Sequence, residues 1–318
     1  MTRCNPTQRS AQCPMPSNAP RPMPHAQALK DFVKSTGLKK AVLGLSGGID
    51  SAVTLKIAVD ALGPGNVTVL IMPELGLSSQ ENIEHAKKLA GFFKVNHYYQ
   101  PINSFLVSFS FVPWGQNETA QMNLRARIRM TLLYNYANAE NALVLGTSNK
   151  SELILGYGTK FGDLAADVEV IGSLYKTEVI ALAKEMGLPQ ELIEKKPTAE
   201  LARGQTDEEE LGATYDKLDQ IIKLYEEGLD ESKITARGLD SALVQKTIRR
   251  INQNDHKSKM PHALCPIPQD TPSLIPEDEG IIDEISDDPI IEKEEPTGSE
   301  CPMPHASCPM PQDQQSLF

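Results

Sequence analysis

Cysteine is missing from the whole stretch between Pro14 and Leu264. Cys4, Cys13, Cys265, Cys301 and Cys308 all sit in the terminal segments. That distribution excludes a disulfide-stapled core and a thiol nucleophile in the body of the chain. Long apolar runs are missing too: nothing approaches the roughly eighteen residues of a membrane span. The opening residues MTRCNPTQRSAQCPMP carry no apolar segment of the secretory kind. A cytoplasmic location without membrane contact is the expectation. An excess of charge of either sign is missing from the body of the chain. The net charge is −11, yet residues 266–318 hold 13 acidic residues against one Lys, which leaves the preceding residues at about +1. The body therefore gives no case for nucleic-acid binding, and its acidity belongs to a tail.

Against these absences stands Gly44-Leu45-Ser46-Gly47-Gly48-Ile49-Asp50-Ser51-Ala52. The apolar run Lys40–Leu45 ahead of it reads as a buried strand. Behind it, Ala52, Val53, Leu55, Ile57, Ala58, Ala61 and Leu62 fall at helical spacing. A strand, a glycine turn and a helix bring unpaired N–H groups together at a helix start, where an anion such as phosphate is favoured. Gly47 and Gly48 allow close approach of the backbone, and Ser46 and Ser51 can add hydroxyl donors. Asp50 would repel a phosphate unless a metal ion lies between them, and magnesium suits that place. The Lys of the Walker A pattern is absent, so this is a different phosphate loop.

At 318 residues the chain has room for one large α/β domain or two small ones. The pattern predicts a leading helix through Ala28, Leu29, Phe32 and Val33, ended by Gly37. Strands are expected at Val67–Met72, Val95–Ile102 and Ala142–Leu145. Ser79 reads as the N-cap of a helix through Phe93, and Thr119–Ala139 reads as a long helix. Glu74–Gln80 reads as a mobile loop, Phe105–Gln116 resists assignment, and Gly156–Asp167 reads as an ordered functional loop. Helices follow at Leu174–Met186, Pro189–Lys196, Asp207–Glu227 and Asp240–Asn252. Alternating strands and helices imply an α/β fold: a Rossmann-like, doubly wound parallel sheet with helices on both faces. Its ligands should sit beyond the C-terminal strand ends, where the Ser46 and Thr147 turns converge.

The ends differ in composition. Residues 1–26 read as a disordered proline-rich tail and 261–318 as a disordered acidic one, around a domain at 27–260. CPMP occurs at 13, 301 and 308, CPIP at 265, and PMPHA at 22 and 302.

Three further stretches narrow the chemistry: NLRARIRM (123–130), LGTSNKSELILGYGTKFGD (145–163) and PTAELARGQTDEEELG (197–212). SGGIDS resembles the pyrophosphate loop of ATP pyrophosphatases, and with these stretches in this order the chain resembles ammonia-dependent NAD synthetase over roughly residues 27–260. The resemblance implies a carbon–nitrogen ligase. Deamido-NAD would be adenylated by ATP with release of pyrophosphate, and ammonia would then displace AMP to give NAD. It implies that Gly44, Leu45, Ser46, Gly47, Gly48, Asp50, Ser51, Arg127, Thr147, Lys176 and Thr198 bind ATP. Asp50 and Glu152 would hold magnesium. Arg127, Lys160, Asp163, Asp167, His256 and Lys257 would surround deamido-NAD, with Asp163 helping to recruit ammonium. Asp50, Asp163 and Lys176 would carry the catalytic roles. Taken alone, Glu152 reads as a solvated helix-start charge, Arg127 as part of an exposed basic face, and His256-Lys257 as a helix end.

The chain departs from the family at Met122-Asn123, where Gly-Asn is usual. It has no glutaminase domain, so free ammonia is the expected donor, and the resemblance implies a homodimer. A competing class is a haem-responsive or partner-binding regulator, because 4 of the 5 cysteines precede a proline. Low-complexity composition alone accounts for the same segments.

Overall fold

The computed structural model describes residues 24–195 and 207–260. The expected tails lie outside these residues, except that the first helix already opens at Pro24. The Cys-Pro repeats and Thr198 also lie outside them.

Five parallel strands form one sheet in the order β3-β2-β1-β4-β5. They are β1 (Lys40–Gly44), β2 (Val67–Ile71), β3 (Asn96–Tyr99), β4 (Ala142–Gly146) and β5 (Val168–Glu169). Side chains alternate cleanly along the central strands. Ala41, Leu43, Val67, Val69, Ile71, Leu143 and Leu145 enter one core, while Val42, Leu70, Met72 and Val144 enter the other. Burial on both faces is why these strands read as continuous apolar runs.

The first core is covered by α1 (Pro24–Ser35), α2 (Ile49–Leu62), α3 (Gln80–Phe93), α7 (Lys176–Glu185) and α8 (Gln190–Ile193). The second lies under α4 (Asn103–Ser108) and the long α5 (Glu118–Glu140). Beside the sheet, α6 (Lys150–Leu155), α9 (Asp207–Leu211), α10 (Tyr215–Glu226), α11 (Glu231–Thr235) and α12 (Ser241–Asn254) share smaller cores built on Leu155, Leu218, Ile222 and Ile234. Local caps set many boundaries. Ser79 accepts from Asn82 N–H at the start of α3, Asn117 from Ala120 N–H at α5, and Asp240 from Leu243 N–H at α12. None of the helices among the described residues is long and apolar enough to cross a membrane.

From β1 the chain winds outward through β2 to β3, then returns to β4 on the other side of β1. The loops after β1 and β4 therefore flank the point where the winding reverses, which is where doubly wound sheets bind ligands. The differences from the sequence reading are local. β5 adds a fifth strand, held by register of Leu145 with Val168 and Gly146 with Glu169. β3 is shorter than expected, an edge strand with all four residues exposed. The single helix expected over 207–227 is two, broken at Gly212, which adopts φ 84°. Phe105–Gln116 holds most of α4 and a 3-10 turn at Phe109–Phe111. Glu74–Gln80 folds as a hydrogen-bonded turn, with Asn103 pairing to both the N–H and the C=O of Leu75.

Candidate active site

The loop after β1 is built for close approach. Gly47 has φ 81°, and a Cβ there would strike the backbone carbonyl of Asn82 in α3. Two constraints thus demand glycine at this position. Gly48 has φ −92° and meets only the Ser46 hydroxyl. The Ser46 and Ser51 hydroxyls lie 3.1 Å apart and knit the turn, with Gly48 N–H donating to Ser46 and the Ser51 hydroxyl donating to Gly48 C=O. No side chain caps α2, so its first-turn N–H groups are left for an anion.

Asp50 in that first turn meets the loop after β4. Its Oδ1 accepts from Asn149 Nδ2 at 3.0 Å and its Oδ2 from Lys176 Nζ at 2.5 Å. Lys176 also reaches Glu152 Oε1 at 3.5 Å. Its side chain is only 2% exposed, between Asp50 at 19% and Glu152 at 15%. Burial alone would lower the Lys176 ammonium pKa. The charges of Asp50 and Glu152 outweigh it, and the net direction is up. For Glu152 burial is the largest cause and pushes the carboxyl up. Lys176 opposes that rise, and Asp50 and Asp207 add to it. Two carboxylates thus converge on one spot that already accepts positive charge. Such a pair fits magnesium, which completes its shell with water and phosphate oxygens. Among the described residues no group of three or more such ligands forms a metal site.

Asn149 was not singled out by the sequence reading. It is fully buried, donates to Asp50, and caps α6 by accepting from Glu152 N–H at 3.0 Å. Glu152 Oε2 accepts in return from Asn149 N–H at 3.3 Å. The spacing Asn149-x-x-Glu152 is a capping box, and that signal was legible.

Beside the glycine loop opens a cavity of about 260 Å3. Its walls include Gly44, Leu45, Ser46, Leu70, Met72, Met130, Leu133, Gly146, Thr147 and Asp163. The Ser46 and Thr147 turns do converge on this cavity, and Asp50 follows Ser46 by four residues in the same loop and helix start. The arginines of α5 divide by face, since residues four apart share one and the residue between them does not. Arg125 pairs with Glu74, and Arg129 donates to Met72 C=O at 2.9 Å. Arg127 is exposed and reaches Lys160 C=O at 3.4 Å.

Of the residues expected around the dinucleotide, Lys160, Asp163 and Asp167 lie on the loop after α6, and His256 and Lys257 meet that loop from the turn after α12. Lys160 Nζ donates to His256 C=O at 2.5 Å, and Lys257 Nζ donates to Gly156 and Gly158 C=O at 2.8 and 3.1 Å. Burial, with Arg250 adding, lowers the Lys257 ammonium. Asp163 Oδ1 accepts from Thr159 N–H at 3.0 Å. The protein packed around it pushes the Asp163 carboxyl up, while hydrogen bonds from Thr159 and the Lys257 charge oppose that rise, and the residue keeps an exposed face. Asp167 is engaged by the sheet: its Oδ2 accepts from Val144 N–H at 2.8 Å and its Oδ1 from the Tyr134 hydroxyl at 3.2 Å. Glu169, absent from the sequence reading, accepts from Ser148 N–H at 3.0 Å and packs on Gly146, where any side chain would overlap its carboxylate.

Comparison with known proteins identifies the family. The NAD synthase family model matches residues 24–261. An NH(3)-dependent NAD(+) synthetase of Methanocaldococcus jannaschii is 44% identical over 238 residues, spanning 73% of this chain and 92% of the relative. One of Fusobacterium nucleatum is 42% identical over 73% of this chain and 90% of its own length. Among solved structures, the NH3-dependent NAD synthetase of Campylobacter jejuni aligns with TM-score 0.65 and 37% identity, over 76% of this chain and 95% of that one. An NMN synthetase of Francisella tularensis aligns with TM-score 0.65 and 31% identity, over 76% and 98%. A glycine loop facing a buried Lys–carboxylate group at the sheet's switch point, within a match over three quarters of the sequence, settles the relationship: this chain belongs to the NAD synthase family.

Proposed function

We propose that this chain makes NAD by amidating deamido-NAD with ammonia, driven by ATP. The nicotinate carboxylate attacks the α-phosphorus of ATP and pyrophosphate departs, leaving a mixed anhydride with AMP. Ammonia then attacks the activated carbonyl carbon, the bond to AMP breaks, and the new amide loses a proton. The observation that carries this reading is the extent of the match to NH(3)-dependent synthetases, 92% of the relative's length. ATP would be bound by Gly44 to Gly48, Asp50, Ser51, Arg127, Thr147, Lys176 and Thr198, its base entering the cavity between the β1 and β4 loops. First-turn N–H groups of α2 and the Lys176 ammonium would stabilise the charge that builds on the departing diphosphate. Asp50 and Glu152 would hold magnesium, which supplies further positive charge to the phosphate oxygens. Arg127, Lys160, Asp167, His256 and Lys257 would orient deamido-NAD, and Asp163, on the cavity wall, would take up ammonium and the proton it must lose.

The domain of this activity is assigned to residues 27–260, in the cytoplasm. A homodimer belongs to the same reading. Phe111 is 81% and Trp114 65% exposed, with Val107 and Phe109 also open beside α5. Exposed apolar side chains within one short segment suit burial against a second copy. The test is purified protein with ATP, magnesium and deamido-NAD, supplied with either ammonium or glutamine. Equal amounts of NAD and AMP with ammonium alone are expected. AMP release that requires the deamido form of NMN instead would move the assignment to the activity named for the Francisella protein.

A further inference from the structure

Asp219 is a buried carboxylate that is hydrogen-bonded to Ser151 and Thr177, and the chemistry above gives it no task. It lies on α10 and is 2% exposed. Burying an acid there requires partners, and three donors meet it. Ser151 Oγ donates to Oδ1 at 2.5 Å, while Thr177 N–H and Thr177 Oγ1 donate to Oδ2 at 3.0 and 2.8 Å. Ser151 Oγ, itself fully buried, accepts from Lys176 N–H at 2.9 Å. The first two N–H groups of α7 are thus satisfied from outside that helix, one by Ser151 of α6 and one by Asp219 of α10. A negative charge at this helix start is also electrostatically favoured.

The consequence falls on the active site. Ser151 immediately precedes Glu152, and Lys176 is the first residue of α7. One carboxylate therefore ties together the backbone positions from which the ammonium and one of its two acidic partners project. We infer that Asp219 is a positioning residue for the reaction, acting through Ser151 and Thr177 to hold Lys176 in place against Asp50 and Glu152. This rests on the ATP-binding role given to Lys176 above.

Thr177 N–H can only donate, Ser151 Oγ already accepts from Lys176 N–H, and both hydroxyls donate to Asp219, so an acceptor at both carboxylate oxygens suits the site. In Asp219→Asn the amide would turn a donor toward Ser151, whose hydroxyl hydrogen then loses its acceptor. The test uses the full-length chain. ATP affinity is measured by calorimetry with and without magnesium, kcat and both KM values are measured at steady state, and thermal unfolding is followed in parallel. Asp219→Asn is expected to weaken ATP binding and lower kcat by about tenfold, the scale of losses from residues that orient ligands through others. KM for deamido-NAD should stay within about twofold, a split that a general loss of stability would not produce. Ser151→Ala should show the same pattern, and the double variant should be no worse than the worse single one, because both act through one relay. A folded Asp219→Asn with parental ATP affinity and kcat overturns the inference. So do losses spread equally over both substrates, or losses that multiply in the double variant. If Asp219→Asn does not fold, Ser151→Ala decides alone, and parental ATP affinity there is fatal. Lys176→Met separates the two levels. Parental ATP binding in that variant removes the role of Lys176 and this inference with it, whereas impairment there beside a normal Asp219→Asn removes this inference only.

Discussion

The two halves of the site are held by different means. On the ATP side, Asp50, Asn149, Glu152 and Lys176 bond to one another through side chains and are largely buried. On the dinucleotide side, Lys160 and Lys257 are anchored on backbone carbonyls, and Arg127 is exposed. The first group owes its geometry to the fold and is set before any ligand arrives. The second presents cationic side chains from a loop and a helix end, where substrate can reorient them at small cost. Preorganised charge belongs where the phosphate leaves, because it serves the transition state without rearranging.

This contrast predicts that damage on the ATP side strikes both stability and turnover. Lys176→Met comes first: it leaves two acidic groups facing each other without a counter-charge. A loss of about 3 kcal/mol of stability by denaturant unfolding is expected, with kcat down by about 10²-fold or more. Gly47→Ala follows, since it forces an L-residue to positive φ against Asn82. About 1–3 kcal/mol is expected from the backbone strain alone, with ATP affinity falling in parallel. Asn149→Ala removes the donor to Asp50 and the cap of α6 together and should cost about 1–3 kcal/mol. Arg127→Ala, on the other half, should raise KM for deamido-NAD about tenfold while changing stability by less than about 0.5 kcal/mol. A large stability loss there would erase the contrast.

Glu169 sharpens the comparison through pH. Burial pushes its carboxyl from 4.5 up to about 7, Ser148 N–H opposes that rise, and Asp163 adds to it. Its folded value lies above the unfolded one, so its contribution to stability is fully present below about pH 4.5 and lost as pH rises through about 7. Glu169→Gln cannot ionise. Relative to the parent it should therefore gain stability across that window, by up to about 3 kcal/mol at pH 8. Unfolding curves at pH 5 and pH 8 check this, and an unchanged difference between the proteins would contradict it.

Much of this was legible in the chain, for reasons that can be named. Strands β1, β2 and β4 are buried on both faces and therefore announce themselves as apolar runs. β5 is two residues beside an acid and offers no such signal. Gly212 was visible inside 207–227 but was outweighed by the helical pattern around it. The ATP-side residues came from a motif whose glycine, hydroxyl and acid positions have separate physical tasks. Asn149 could have been found from its capping box. Asp219 could have been found as an acid on the stripe Tyr215, Leu218, Asp219, Ile222, where a charge has no business unless donors wait beneath it. What periodicity cannot show is which donors those are, because Ser151 and Thr177 come from two other helices.

The most direct test of the chemistry follows the carboxylate oxygens. Deamido-NAD carrying oxygen-18 in its nicotinate carboxylate, incubated with ATP, magnesium, ammonium and the enzyme, should yield AMP bearing one labelled oxygen on its phosphate, with the other retained in the amide of NAD. Unlabelled AMP, or label recovered in pyrophosphate, would contradict activation of that carboxylate at the α-phosphorus.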